Sequence, residues 1–344
     1  MIGVGRNFAS DNVAPVAPAV LDAIVAANRG TAPSYGDDEI TQRLSDLARE
    51  VFETDLAIFP VGTGTAANGL TLAALAGHGR NVYCHETAHI LIEEAGGPEF
   101  FTGGAELVGL PGIGGKLAPD LLAKAISTTG AVVSVTQATE WGTVYTSDQI
   151  AALADVAHGH GLRMHMDGAR LANAIAHLGC SPAEATWRVG IDALSFGATK
   201  NGALAAEAVV LFDPALVAGF EDRRKRAGHL MSKQRFLSAQ LVAMLEDGLW
   251  LRHAVHANGM AERLALGLSP LPGLRLVQAV EANELFLAMP ETMIGSLREQ
   301  GFKFHQWLAP CDSDGPVVRL VTSFATTIED VDDFLQAAGA LAAA

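Results

Sequence analysis

The strongest constraint on this chain is an alternation. Through its first two thirds, short apolar runs rich in β-branched residues take turns with stretches of helical period. A strand buried on both faces needs helices above and below it, and crossover helices between parallel strands supply that cover. The alternation therefore predicts an α/β protein with a mostly parallel central sheet. Strands are expected at Asp55–Pro60, Asn81–Cys84, Ala131–Val135, Leu162–Met166, Ala193–Phe196 and Ala208–Phe212, with helices at Thr65–Leu75, Leu121–Ile126, Asp148–His158 and Ala169–His177. The first thirty residues, broken by Pro15, Pro18 and the segment TAPSYGDD, read as an arm.

From about Phe236 to Leu268 the period becomes helical over one long span, which carries the chain out of the large domain. The expected division is residues 1–250, arm plus large domain, and residues 251–344, a smaller α+β domain. The latter has strands near Leu274–Val277, Glu284–Met289 and Val317–Thr322 and a last helix in Ile328–Ala340. With 344 residues and 49% hydrophobic content the chain can fill both cores.

Charge narrows the partners. Against 38 acidic residues stand 23 Lys and Arg, a net charge of −15 that repels phosphate backbones and anionic lipid and so argues against nucleic acid and membrane. Neither a signal segment nor a long apolar stretch is found, and Cys84, Cys180 and Cys311 form no CxxC pair, which points to a reducing, cytoplasmic setting.

In an open parallel sheet, ligands sit beyond the carboxyl ends of the strands. Three such positions stand out. The turn Gly62-Thr63-Gly64-Thr65 opens a helix and offers backbone N–H groups and a positive dipole end to a phosphate. Asp167 ends one strand, and Lys200 follows another among small residues in SFGATKNG. Singly, each has an ordinary reading: a tight turn, a helix cap, a loop lysine. Together they match what pyridoxal phosphate (PLP) requires, namely a phosphate anchor, an acid for the pyridinium nitrogen and an amine for a Schiff base.

Other candidates weigh less. His85-Glu86-Thr87-Ala88-His89 is a formal HExxH match, but it abuts a strand and lacks a suitably spaced third ligand, so no metal site is expected. His158 and His160 sit in a polar helix end. His165 shares a strand face with Asp167, either supporting that acid or filling the core. The run Arg223-Arg224-Lys225-Arg226 reads as a solvated helix face, or else Arg226 or Lys233 offers a cation to a neighbouring subunit's phosphate.

The segments FASDN (Phe8–Asn12), SYGDD (Ser34–Asp38), VGTGTAAN (Val61–Asn68), Ala88-His89, Glu94–Gly97, HMDGAR (His165–Arg170), SFGATKNG (Ser195–Gly202) and RLVTS (Arg319–Ser323) resemble, nearly end to end, those of L-threonine aldolases. Those are PLP enzymes of fold type I, the aspartate-aminotransferase-like group. The resemblance implies Lys200 as the Schiff-base lysine, Asp167 as the pyridine partner, Gly64 and Thr65 on the phosphate and His89 stacked on the ring. It implies Arg319 on the substrate carboxylate with Ser10 and Arg170 alongside, and Tyr35 lining the site from a second subunit of a dimer or tetramer. The implied reaction is cleavage of β-hydroxy-α-amino acids to glycine and an aldehyde. Where many members carry a histidine, this chain has Glu140, so His89 and Glu140 both stand as candidates for the base. Another PLP-dependent lyase or transaminase, or an HExxH zinc hydrolase, is the alternative.

Overall fold

A computed structural model describes residues 6–76, 80–128, 130–307 and 315–343 of the chain. Cys311 lies outside these residues. Cys84 is buried and Cys180 partly so, and neither is in a disulfide.

Seven strands form the central sheet: β1 (Ala57–Val61), β2 (Asn81–His85), β3 (Glu106–Leu110), β4 (Gly130–Thr136), β5 (Arg163–Gly168), β6 (Ala193–Gly197) and β7 (Glu207–Leu211). Their spatial order is β1-β7-β6-β5-β4-β2-β3. β7 runs antiparallel to both β6 and β1, so β1 points the same way as β6 and only β7 is reversed. The carboxyl ends of β1, β2, β4, β5 and β6 thus share one edge with the beginning of β7. Every strand expected in this region is present. β3 was not anticipated because ELVGL, at the sheet margin, keeps partly exposed residues and a glycine where a buried strand is continuously apolar.

The helix Gly64–Ala76 crosses the sheet and is buried on nearly every side, which explains a sequence of Ala, Leu and Gly with no polar stripe. Its glycines allow close approach: a Cβ on Gly69 would lie 2.3 Å from the Phe101 ring. Its first residues therefore point at the shared edge, since the helix starts three residues after β1 ends.

The long helical span is two helices, Arg235–Leu245 and Leu249–Leu268, divided at Glu246–Gly248. Asp247 (φ 53°) and Gly248 (φ 67°) are left-handed there, a conformation that stops an α-helix and that glycine adopts at no steric cost. The arm is more ordered than its prolines suggested. It contains the helix Pro18–Ala27, with Pro at the N-terminal position that needs no N–H, and it packs on Arg235–Leu245.

The second sheet has order β10-β11-β9-β8, all antiparallel, from β8 (Arg275–Leu276), β9 (Glu284–Ala288), β10 (His305–Trp307) and β11 (Val317–Val321). β10, only His-Gln-Trp, was too short and polar to read from the sequence. Leu264, Leu268, Leu285, Leu287, Val318, Leu320 and Phe334 form its separate core. The arm joins this unit to the site: Phe8 N–H donates to Lys303 and Phe8 C=O accepts from Val321. No helix among the described residues is long and apolar enough to cross a membrane.

Candidate active site

A cavity of about 290 Å³ opens at the shared strand edge. Gly62, Thr63, Gly64, Thr65, Asn68, His89, Glu94, Glu140, Asp167, Arg170, Lys200 and Glu207 are among the residues lining it. Of the residues singled out in the sequence, Lys200, Asp167, Gly64, Thr65, His89, Glu140 and Arg170 meet here. Ser10, Tyr35 and Arg319 do not line it. Ser10 lines a separate pocket with Phe8, Lys303 and Ser323, and its hydroxyl accepts from Asn12 N–H. Tyr35 is 49% exposed on the surface, with its backbone left-handed (φ 61°). Arg319 lies on β11 and shares Glu284 with the cavity-lining Arg170.

Asp167 is buried, and both of its oxygens are engaged. Asn68 Nδ2 donates to Oδ2 at 2.8 Å and Ala169 N–H to Oδ1 at 3.0 Å. Asn68 sits one helical turn beyond Gly64, so the helix that opens the turn also delivers this donor. The same Nδ2 donates to Glu94 Oε1 (2.8 Å), which also meets His89 Nδ1 at 2.9 Å. The hydrogen bond to Glu94, which favours the protonated ring, raises the His89 pKa above its ordinary value, against the effect of burial.

Lys200 rides on the short turn Thr199–Asn201. That turn is tied at both ends: before the lysine, Ala198 N–H donates to Glu207 Oε2 (2.8 Å) and Ala206 N–H to the Thr199 hydroxyl; after it, Asn201 Nδ2 donates to Trp250 C=O (2.8 Å). Glu207 reaches the site only because β7 is reversed, and burial raises its pKa.

Glu140 follows β4. Its Oε1 accepts from His89 N–H (2.7 Å) and the Thr136 hydroxyl (3.0 Å), whereas its buried Oε2 has no partner among the described residues. Burial pushes its pKa up to about 7, more than those donors lower it, and nearby Asp167 adds to the rise.

Arg170 is buried and held by Asp11, Nε to Oδ2 at 2.8 Å and Nη2 to Oδ1 at 3.1 Å. Burial raises Asp11, but Arg170, Lys200 and Asn283 together outweigh it and hold that carboxyl below its ordinary range. Arg319 lies 3.7 Å from Glu284 and over the Trp307 ring.

The remaining candidates have other settings. His165 is enclosed, with Ser134 Oγ at 2.8 Å from Nδ1 and Ser195 Oγ at 3.0 Å from Nε2, and burial drives its pKa down to about 4. His85 ends β2 and bonds Thr87 and the Gly112 carbonyl, while His89 begins a separate four-residue helix, so the HExxH residues share no helix face. In the basic run, Arg224 is buried and donates to Pro60 C=O. Asn68, Glu94, Glu207, Asp11 and Glu284 were not singled out from the sequence. Asn68 could have been found by its four-residue spacing from Gly64, and Asp11 by its place in FASDN.

The chain belongs to the beta-eliminating lyase family, whose model matches residues 7–292. Its relatives narrow the likeness. It is 44% identical over 333 residues to the low specificity L-threonine aldolase of Pseudomonas aeruginosa, covering 95% of each chain. It is also 44% identical over 315 residues to the low specificity L-threonine aldolase of a Pseudomonas species, covering 90% of this chain and 91% of the relative. The solved threonine aldolase of Leishmania major matches with a TM-score of 0.91 at 28% identity, over 98% of this chain and 99% of that one. The α/β architecture is that of the PLP enzymes of fold type I.

Proposed function

We propose that this chain is a PLP-dependent carbon–carbon lyase that cleaves L-threonine, L-allo-threonine and related β-hydroxy-α-amino acids to glycine and an aldehyde. One observation carries the reading: a lysine, a buried acid and an open helix N-terminus converge in one cavity of a chain from this family. The cavity suits PLP. The N–H groups of Gly64 and Thr65 head a helix and have no intrahelical acceptor, and a Cβ built on Gly62 or Gly64 meets nothing within 4 Å. Lys200 would hold the cofactor's aldehyde carbon, Asp167 its ring nitrogen, Gly64 and Thr65 its phosphate and His89 its face. When bound, PLP supplies the electron sink that takes up the bonding pair of the broken Cα–Cβ bond.

The chain's own residues do the rest. Asn68 and Ala169 keep the Asp167 carboxylate aimed, since each of its oxygens accepts one of their N–H groups. Arg319, with an Nε that lacks an acceptor among the described residues, binds the substrate carboxylate. Glu140 takes the β-hydroxyl proton through its free Oε2, since a base poised near neutrality is matched to that transfer. His89, engaged by Glu94, lies against the same space. Tyr35, exposed and fixed by its N–H to Ser232 C=O, serves the site of a neighbouring subunit in a homo-oligomer, and the enzyme works in the cytoplasm.

Acetaldehyde release from L-threonine by the PLP-loaded protein tests the reaction. Glycine and acetaldehyde in equal amounts are expected, and a purified protein that transaminates or deaminates threonine instead overturns it.

A further inference from the structure

Two arginines and two carboxylates meet behind the substrate side of the cavity. Arg170 (from the turn after β5) and Arg319 (on β11) face Asp11 (from the arm) and Glu284 (first residue of β9). Lys200 also acts on this group across the cavity, and Glu140 acts on Arg170. The two acids are held very differently. Asp11 is gripped by two Arg170 nitrogens and by Asn283 Nδ2 at 3.1 Å. The Glu284 side chain is fully enclosed (0% exposed), 3.3 Å from Arg170 Nη1 and 3.7 Å from Arg319 Nη1. Yet neither of its oxygens accepts a hydrogen bond among the described residues. It is a counter-ion without the directed bonds that normally justify burying a carboxylate.

Counted by themselves, the four side chains carry two charges of each sign. A substrate carboxylate at Arg319 makes three anions against two cations in an enclosed space, where uncompensated charge is costly and is relieved by protonation. Asp11 is too well bonded to give way. We infer that Glu284 is a built-in stand-in for the substrate carboxylate, and that it takes one proton from solvent onto its carboxylate when a ligand's carboxylate occupies Arg319. Burial already raises the Glu284 pKa in the unliganded protein, against the lowering effect of Arg170 and Arg319. Until a ligand arrives, Glu284 keeps Arg319 paired, and affinity for amino-acid carboxylates falls as pH rises.

The inference rests on the carboxylate role of Arg319 proposed above, and calorimetry separates the two. Glycine is titrated into the PLP-loaded protein in buffers of different ionisation enthalpy, for wild type, E284Q, E284D and R319A. Wild type and E284D are expected to take up close to one more proton per glycine than E284Q. Between about pH 7 and 9 the wild-type affinity should fall by up to about tenfold more per pH unit than that of E284Q, following proton linkage. Equal proton counts in wild type and E284Q, with R319A weakening glycine binding, overturn the role of Glu284 alone. If E284Q does not fold, wild-type affinity that is flat with pH over that range overturns it. Unchanged glycine binding by R319A overturns the clamp and the stand-in together.

Discussion

The floor of the cavity and its substrate wall are built on opposite plans. At the floor, Asp167 has both oxygens bonded, and the turn carrying Lys200 is pinned before the lysine at Ala198 and Thr199 and after it by Asn201 Nδ2, which donates to Trp250 C=O. On the other side, from Glu140 in the lining to Glu284 and Arg319 behind it, buried polar atoms lack partners among the described residues: Glu140 Oε2, both Glu284 oxygens and Arg319 Nε, with Asn68 Oδ1 and Glu94 Oε2 likewise unpartnered between the two sides. Buried polar groups are ordinarily satisfied, so unpartnered atoms gathered beside a cavity mark where polar ligand atoms belong. The contrast separates a part of the site finished by folding from a part finished by binding.

Five substitutions can break or sharpen this contrast. The largest effect belongs to the floor: Lys200→Ala should abolish acetaldehyde release from threonine, and borohydride should no longer fix the cofactor to the protein, as read by mass spectrometry. On the wall, Glu140→Gln should lower kcat on the order of 10²-fold, the usual contribution of a placed base. A carboxyl with pKa about 7 works as a base only above that value, so wild-type activity should rise with pH through about 7, and that limb should be absent in the variant. His89→Asn, if it removed the limb instead, would move the base to the histidine.

Asn68→Ala tests the bridge between the two sides. It withdraws the amide N–H groups from Asp167 and Glu94, and hydrogen bonds to charged groups contribute about 1.5–3 kcal/mol. A kcat loss of roughly ten- to hundredfold should follow, with KM for threonine little changed because no wall residue is touched. The smallest effect is expected for Thr65→Ala, which leaves the backbone N–H groups in place; cofactor affinity, followed by fluorescence on dilution, should weaken roughly tenfold.

The difference between floor and wall also decides how much could be read from the sequence. Lys200, Asp167 and Gly64-Thr65 are set by strand ends and a helix start, features with local signatures in SFGATKNG, HMDGAR and VGTGT. The six strands of the central sheet that are apolar and β-branched were legible for the same reason, and β3 and β10, being marginal or short and polar, were not. Glu207 was hidden because its place depends on β7 running backwards, which no local pattern announces. Glu284 was hidden more deeply: inside an apolar strand, ELFLA, a glutamate has no motif, and its neighbours Arg170 and Arg319 are brought to it by two different sheets.

The reversed strand β7 has a practical consequence for anyone redesigning this catalyst. Residues 198–207 form a loop whose ends are laced together by Glu207 to Ala198 and Ala206 to Thr199, while Gln240 accepts the N–H groups of Leu204 and Ala205. Such a closed ring tolerates neither insertion nor deletion, although it looks like ordinary surface loop in a linear map. It also shields the lysine from changes made elsewhere. Asn12, from the arm, and Ala138, after β4, line the cavity from other segments, so libraries aimed at new aldehydes can vary those positions while Lys200 keeps its address.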